Sequence, residues 1–599
     1  MKTKHQRLLS ISSMVIIFTL LFSNLGNVVW VSSDASSAQT QYLNGLNFMQ
    51  EGNEAAALTS FSQAILLDNT LEQAYLERAK IFFNQQDYDK ARSDFSALLA
   101  LNPDHIEATQ YRLQIFLLEK NTTLALNDFN NLMALQPTAI KTFLLGGKLF
   151  LLTGDYDRAA GHFTAVLNLH KNHMEALLGR AEAYMILGSF ERANQDIDSI
   201  LKMDPQNVQA ITLQGQVYYN QGEYTSALRA WETAISIAEN SFNLATYCGK
   251  AYFSLQQYSQ AISSWSTAIE LDPQQVSTYA LRAKAYAQTG QADLALADLQ
   301  FANQLQPDNP DVLADLGLLY LQLSDLEKAI KAYDEAIEQE GNQPVYYFRR
   351  GNALRQNGQL EEAIQDYSQS ISLDSNNSDY YNNRGISYMD SGNYEAAQAD
   401  FQAAININPD YLLALINSSI LYIQSSQFQQ ALQQLNHVLE LSDAYPVAYD
   451  FRAQTHFLLA DYDAAIQDWQ ILLTYQPNSA VTYDWLGRAY IGLKNYPQAI
   501  EALDQALELD PKFGDAYYQK GLALIQQKKY KDALPMLETA IRLKSNLDLA
   551  YFNRGVAQYN LNQIGLAIES FQEVLRVSQN AELIQLCQQT LIQLGAETN

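Results

Sequence analysis

Apolar residues recur along most of the chain at spacings of three and four residues, as in Ala227, Trp231 and Ala234. That spacing places them on one face of an α-helix, so the pattern predicts amphipathic helices rather than strands. A longer period is superimposed on it, because alanine returns every 34 residues without insertion or deletion. The sixteen positions are Ala57, Ala91, Ala125, Ala159, Ala193, Ala227, Ala261, Ala295, Ala329, Ala363, Ala397, Ala431, Ala465, Ala499, Ala533 and Ala567.

A second position, which we call the small site, lies twelve residues before each of these alanines. We number the repeats one to sixteen by their small sites, from Gly45 to Gly555. Gly, Ala or Ser occupies every small site except one, which is Leu113 in repeat three. Small residues on facing helices let the two backbones approach closely. Each period therefore predicts an antiparallel helix pair, and the predicted fold class is all-α, a solenoid of such pairs.

Proline supports this register, because it is tolerated in the first turn of a helix or after the helix has ended. Eight prolines, including Pro273, lie 24 residues after a small site, where the second helix must stop. Pro310, Pro344 and Pro446 lie seven residues before a small site, where a first helix begins. Pro535 alone falls inside a predicted helix, so we expect the second helix of repeat fifteen to start late or to bend there.

The repeated unit resembles the tetratricopeptide repeat (TPR) in its order of small, aromatic, alanine, bulky apolar, alanine and proline residues. In repeat seven these are Gly249, Tyr252, Ala261, Trp265, Ala268 and Pro273. The resemblance covers about residues 38–581 as sixteen repeats of one continuous α-α superhelix. Residues 582–599 are predicted to be a C-terminal capping helix and tail, which such arrays need for solubility. The resemblance implies a concave groove, lined by the first helices, that takes peptide segments of partner proteins.

Two positions vary together among the repeats. Arginine one residue before the small site coincides with aspartate sixteen residues later in seven repeats. The pairs are Arg78/Asp94, Arg112/Asp128, Arg180/Asp196, Arg282/Asp298, Arg350/Asp366, Arg384/Asp400 and Arg452/Asp468. An unpaired buried charge is costly, so we expect an ion pair between the two helices of a repeat. The alternative is inheritance of one ancestral repeat type by duplication.

By the same resemblance, the groove positions lie six and three residues before the small site and one, four and five residues after it. The position four after is apolar or aromatic in fifteen of sixteen repeats, which favours packing between neighbours. The other groove positions of repeats one to eight hold five lysines and three glutamates. The same positions of repeats nine to sixteen hold one arginine and six aspartates. We therefore expect the two halves to prefer different ligands.

The position one after the small site carries the candidate ligand-binding residues. They are Lys80, Lys148, Lys250, Lys284, Asn352 and Arg488. A groove that recognises acidic or carboxylate-bearing protein segments would use such donors. The alternative is that the lysines only keep a wet surface soluble.

Residues 1–35 are predicted to be a signal peptide or a membrane anchor. Three basic residues and no acid stand among the first seven, and an apolar stretch follows, which is the order of a signal peptide. Small residues allow cleavage after Ala35, whereas residues 8–31 would serve as a membrane tether if uncleaved. Both alternatives predict export of the remaining chain, to a periplasmic, extracellular or cell-envelope location.

The charge balance argues against nucleic acid as a partner. With 38 Lys and Arg against 65 Asp and Glu, the formal net charge is -27. This composition lacks the excess of basic residues that neutralises phosphates. Cys248 and Cys587, the two cysteines, are too few and too far apart in sequence to build a disulfide framework or a zinc site by themselves.

The sequence contains no phosphate-binding loop, nucleophile elbow or metalloprotease motif, so no catalytic domain and no cofactor are predicted. Its one histidine cluster, His162, His170 and His173, has a spacing that permits metal binding, although histidines at a helix end commonly act as caps. The function predicted is that of an exported, non-catalytic scaffold or adaptor binding protein segments. The alternatives are a structural spacer or assembly factor tethered at the envelope, and an enzyme with a site between helices.

Overall fold

A computed structural model describes the backbone of residues 33–596 and the side chains from Ser37 onward. The predicted membrane segment, residues 8–31, lies outside the described residues. Within the described part the protein contains 33 α-helices and no strand, which confirms the all-α prediction. No helix there is long and apolar enough to cross a membrane.

The chain divides after Gln291 into two compact units. In both, odd-numbered helices from α1 to α31 are first helices of repeats and even-numbered helices are second helices. The first compact unit holds α1 (Ser33–Gln50), α2 (Glu54–Leu67), α3 (Glu72–Asn84), α4 (Tyr88–Leu101), α5 (Ile106–Leu118), α6 (Thr122–Leu135), α7 (Ile140–Leu152), α8 (Tyr156–Leu169), α9 (Met174–Ile186), α10 (Phe190–Met203), α11 (Val208–Asn220), α12 (Tyr224–Ile237), α13 (Phe242–Ser254), α14 (Tyr258–Leu271) and α15 (Val276–Gln288).

The second compact unit holds the remaining helices, which end with a single helix after repeat sixteen. They are α16 (Ala292–Leu305), α17 (Pro310–Gln322), α18 (Leu326–Gln339), α19 (Pro344–Gln356), α20 (Leu360–Leu373), α21 (Ser378–Asp390), α22 (Tyr394–Ile407), α23 (Leu412–Gln424), α24 (Phe428–Leu441), α25 (Pro446–Leu458), α26 (Tyr462–Tyr475), α27 (Ala480–Gly492), α28 (Tyr496–Leu509), α29 (Gly514–Gln526), α30 (Tyr530–Arg542), α31 (Leu547–Asn560), α32 (Ile564–Val577) and α33 (Ala581–Gln593). Whether residues 38–581 form one continuous solenoid stays a prediction.

The small site is where the two helices of a repeat meet. A Cβ atom added at Gly147 would lie 2.5 Å from the ring of Phe163 on the second helix, so a larger residue would collide with a buried aromatic. Repeat three, which has Leu113 at this site, places its own aromatic elsewhere. The ring of Phe129 lies against Gly146 of the next repeat, where an added Cβ would be 2.6 Å from it.

Proline marks helix ends as predicted, with one exception. Pro310, Pro344 and Pro446 are the first residues of their helices. The late start expected for the second helix of repeat fifteen is wrong, because α30 begins at Tyr530 and contains Pro535. Proline inside a helix removes the hydrogen bond to the carbonyl four residues earlier and crowds that carbonyl with its ring. The buried neighbours Ala533 and Leu537 keep that stretch of helix packed in place.

The predicted arginine–aspartate ion pairs are confirmed in six repeats. In each of these repeats the arginine and the aspartate lie in the same compact unit. In each, the arginine Nε and Nη2 atoms donate to the two carboxylate oxygens at 2.6–2.8 Å. All six aspartates are buried, so the bidentate geometry compensates for desolvation. Arg282 and Asp298 lie in different compact units, and their pairing stays a prediction.

The same arginines make a second contact that their pairing within one repeat did not predict. Their Nη1 atoms donate, at 2.5–3.2 Å, to the second helix of the preceding repeat. The acceptors, all sixteen residues before the arginine, are Ser62, Ser96, Thr164, Ser266, Asp334, Ser368 and Asn436. Each arginine therefore ties its own repeat to the one before it.

Candidate binding groove

In several stretches of each compact unit, a first helix packs directly against the first helix of the next repeat. Successive first helices contact each other more extensively than successive second helices do, as α5 with α7 and α27 with α29. This places the first helices on the inner side of the stack, as expected for a groove. The groove positions therefore bring side chains from neighbouring repeats next to each other in rows.

Two candidate lysines are neutralised across the repeat boundary. The Lys80 Nζ atom lies 2.8 Å from a carboxylate oxygen of Glu107, and Lys148 pairs with Glu175 in the same register. Burial lowers the pKa of Lys80, but Glu107 and Glu77 outweigh that effect and raise it overall. Both lysines are thus held in ion pairs between first helices, rather than standing as unpaired donors.

Lys250 has a different environment, because the residue that stands 27 positions later, where Lys80 and Lys148 have glutamate, is Ser277. No acidic partner can neutralise Lys250 from that position, and its side chain is partly exposed on α13. Lys284 is exposed on α15 and takes part in interactions of its own. Of the candidate lysines, Lys250 offers the clearest donor for a ligand.

The candidates of the second compact unit also have internal partners. Asn352 accepts a hydrogen bond from the hydroxyl of the buried Tyr367 at 2.8 Å. The Arg488 Nε atom donates to Asp484 at 2.6 Å, and its Nη2 atom lies 3.6 Å from Asp515 of the next repeat. The guanidinium also sits 5.0 Å from the ring centroid of Trp485, a cation–π distance.

Sequence reasoning missed Arg355, because it set aside the position four after the small site as a packing position. Arg355 is the one charged residue in that row. Its Nη1 atom lies 3.7 Å from a carboxylate oxygen of Asp390, and its buried Nε atom has no hydrogen-bond partner. Arg355 could have been identified from the sequence, because it is a charged residue at a position that is otherwise apolar or aromatic.

The three clustered histidines do not assemble into a metal site. His162 packs among aromatic rings, 5.2 Å from Phe150 in a stacked arrangement, and burial lowers its pKa, with a smaller contribution from Arg158. The His173 Nδ1 atom instead caps α9 by accepting the backbone N–H of Ala176 at 3.4 Å. Among the described residues, no group of three or more His, Cys, Asp or Glu side chains could hold a metal ion.

Both cysteines are buried free thiols. Burial, with a smaller contribution from Glu232, raises the pKa of Cys248 to about 12, and burial raises that of Cys587 to about 11. A thiol with such a pKa is protonated at neutral pH and is a poor nucleophile or metal ligand. These residues act as small apolar side chains in the core.

Comparison with protein families gives several matches along the chain. Models described as "TPR repeat" or "Tetratricopeptide repeat" together match more than half of it, at residues 72–105, 150–217, 249–290, 286–348, 332–365, 351–391, 378–411, 452–512, 485–548 and 518–582. A model described as "Anaphase-promoting complex, cyclosome, subunit 3" matches residues 197–268. No curated protein sequence matches the chain significantly.

Solved structures similar to the chain include the APC/C hetero-tetramer Cut9–Hcn1, at 17% identity, covering 82% of this chain and 97% of that chain with a TM-score of 0.39. A tetratricopeptide repeat protein from Parabacteroides merdae is 20% identical, covers 42% and 98%, and has a TM-score of 0.33. YrrB, described as a TPR protein with an unusual peptide-binding site, is 24% identical, covers 31% and 97%, and has a TM-score of 0.27.

The unbroken 34-residue period, the helix pairs of the structure and the family matches agree with one another. The chain belongs to the tetratricopeptide repeat family.

Proposed function

We propose that this protein is an exported scaffold that binds segments of partner proteins along the face of its first helices and performs no catalysis. The observation that carries the proposal is a row of exposed apolar side chains on that face. Leu118, Leu152 and Ile186 occupy the position five after the small site in three successive repeats, and all three are exposed. Contiguous exposed apolar residues on a protein surface mark interaction sites.

Charged side chains near this row supply specificity. Lys148 and Glu175 lie on the same first helices as Leu152 and Ile186, and Lys250 lies two repeats further along. Charged groups at the border of an apolar surface select partners and orient them more than they add affinity. A segment with apolar side chains and a carboxylate near Lys250 fits this half of the protein.

Export is part of the proposal and is supported by the sequence alone. Residues 1–35 combine a basic start with an apolar stretch, as a signal peptide or anchor does. Mass analysis of the mature protein distinguishes the two forms. A protein that begins after Ala35 is secreted, an exported protein that keeps residues 8–31 is tethered, and an intact protein retained with the cytosolic fraction contradicts export.

Crosslinking followed by affinity capture from the native source tests partner binding. We expect Lys250→Glu combined with Leu118→Ser and Leu152→Ser to lose partners that the unaltered protein captures. Lys171→Glu is the matched control, because Lys171 is exposed in the turn between α8 and α9, outside the groove positions. Capture of the same partners by the groove variant and the control would favour a structural spacer over an adaptor.

A further inference from the structure

A second apolar row lies on the first helices of repeats twelve to fourteen. Leu413, Val447 and Val481 occupy the position six before the small site on α23, α25 and α27 and are 51%, 47% and 56% exposed. Packed helices lie about 8–10 Å apart, so three neighbouring helices extend the row over roughly 20 Å. Exposed apolar residues on successive helices mark an interaction site.

Acidic side chains lie beside this row. Asp450, Asp484 and Asp515, which we term the acidic notch, project from α25, α27 and α29 of repeats thirteen to fifteen. Asp450 and Asp484 each follow an apolar row residue by three positions, so they share its helix face. Arg488 contacts two of the three carboxylates, Asp484 and Asp515, which leaves the notch with excess negative charge.

Asp484 is the unusual member of the notch, because its side chain is only 3% exposed. Its Oδ2 atom accepts from the Arg488 Nε atom, but its Oδ1 atom is buried without a hydrogen-bond partner. A buried acceptor without a partner costs about 1–3 kcal/mol. Burial also raises the pKa of this carboxyl, an effect that Arg488 opposes and Asp515 reinforces.

The two neighbouring carboxylates are engaged differently. Both oxygens of Asp450 accept hydrogen bonds, from the Trp469 indole at 3.1 Å and from Gln454 at 3.0 Å. Asp515 is 43% exposed, and its Oδ1 atom accepts from Asn546 and from the hydroxyl of Ser545, while its Oδ2 atom has only the distant Arg488. The acceptor left for a ligand is therefore Oδ2 of the half-exposed Asp515, and the buried carboxylate of Asp484 adds negative charge beside it.

From this arrangement we propose that repeats twelve to fifteen bind a partner segment that presents a lysine or arginine side chain next to apolar side chains. The cation donates to Asp515, next to the negative charge of the buried Asp484, and the apolar side chains cover Leu413, Val447 and Val481. Charge complementarity selects this occupant, because an acidic segment would meet uncompensated carboxylates. The inference rests on the proposed function and assigns to these repeats a ligand opposite in charge to that near Lys250.

Three fluorescein-labelled synthetic peptides test the inference by fluorescence anisotropy on the full chain. Each is about twelve residues long, since an extended peptide spans roughly 3.3 Å per residue and so exceeds the row. The first alternates leucine and lysine, the second leucine and glutamate, and the third serine and lysine. We expect the first to bind at least about tenfold more tightly than either of the others, the size of one charge-assisted contact.

Variants locate the binding. Asp515→Asn should weaken binding of the leucine–lysine peptide about tenfold, and Asp484→Asn, which removes a buried negative charge beside Asp515, should weaken binding in the same direction. Val447→Ser with Val481→Ser should weaken it by a similar factor. Glu501→Gln on α28 is the matched control, because Glu501 is exposed outside the groove positions. Thermal melting identifies any variant that fails to fold, and Asp515→Asn keeps the test available if Asp484→Asn does.

The inference is overturned if no peptide binds, if the leucine–glutamate or serine–lysine peptide binds as tightly as the first, or if both aspartate variants bind normally. None of these results would contradict the proposed function, because that function is tested by partner capture with variants of the first compact unit. Loss of partners in the Lys250 variant together with no peptide binding here would retain the scaffold and remove the basic ligand.

Discussion

At the scale of single residues, the arginine–aspartate pairs do more than neutralise a buried charge. Arg384, for example, donates to Asp400 within its repeat and to Ser368 in the repeat before. Where the arginine position holds lysine, in repeat fifteen, Lys520 pairs with Asp504 of the preceding repeat only, because Met536 stands where the aspartate would be. The position therefore serves both the repeat and the junction between repeats.

Replacing Arg384 by leucine should lower the free energy of unfolding by about 3 kcal/mol, because Asp400 would be left buried without its partner. Urea unfolding measures the change. The double variant Arg384→Leu with Asp400→Ala, which reproduces Leu316 and Ala332 of repeat nine, should recover most of the loss. Arg576→Leu, which removes an exposed pair with Glu573, should change stability little. A double variant no more stable than the single one would contradict the assignment.

We expect His162 to make the stability of the protein depend on pH. Its folded-state pKa lies below the unfolded value of about 6.5, so the neutral ring contributes stability that is fully present above about pH 6.5. That stability is lost as the pH falls from 6.5 toward the folded pKa. Thermal melting of His162→Phe should therefore show a smaller decrease on acidification than the unaltered protein. His437→Gln, at an exposed site, is the control, and equal decreases in all three would refute the role of His162.

At the scale of helices, the small site sets how closely the two helices of a repeat approach. A Cβ atom at Gly147 would collide with the ring of Phe163, which is buried and has little freedom to move. Gly161, on the second helix of the same repeat, has no atom within 4 Å of an added Cβ. Two glycines of one repeat thus differ in packing, although both lie in helices.

We expect Gly147→Ala to destabilise the protein by about 1–3 kcal/mol through overpacking. Gly161→Ala should stabilise it by up to about 1 kcal/mol, because alanine is the better helix former and nothing obstructs it. Chemical denaturation of both variants under the same conditions measures the difference. Effects of the same sign in the two variants would show that helix propensity, rather than the packing of the helix pair, decides the outcome.

At the scale of the whole molecule, stability in a repeat array comes from contacts between neighbours, so a perturbation is expected to stay local. The last helix, α33, covers repeat sixteen with the buried residues Leu583, Cys587 and Leu591. They pack against Phe571 and Val574 of α32. The helix closes the apolar end that repeat sixteen would otherwise expose.

Replacing Leu591 by serine should loosen this closure. Hydrogen exchange measured by mass spectrometry should show faster exchange in α31, α32 and α33, because they have lost their cover. Helices α17 to α21, many repeats away, should exchange at the rate of the unaltered protein and serve as the internal control. Faster exchange throughout the second compact unit would instead mean that its repeats unfold together.

The helix pairs, their register and the ion pairs within a repeat could all be predicted from the amino-acid sequence. This was possible because those features depend on spacings inside one 34-residue period, such as the sixteen residues from Arg384 to Asp400. The sequence also indicated the opposite charges of the two halves of the candidate groove. The late helix start predicted from Pro535 was wrong because packing by Ala533 and Leu537, which local propensity does not include, maintains the helix.

The contacts between neighbouring repeats could not be predicted in this way and are known from the three-dimensional structure. The pairing of Lys80 with Glu107, the backward bond from Arg384 to Ser368 and the unpaired oxygen of Asp484 all depend on how neighbouring repeats are offset and rotated. A repeat period fixes the length of each unit but not that offset, which arises from the packing of many side chains at once. The chemistry of the candidate groove therefore depends on how neighbouring first helices pack against each other.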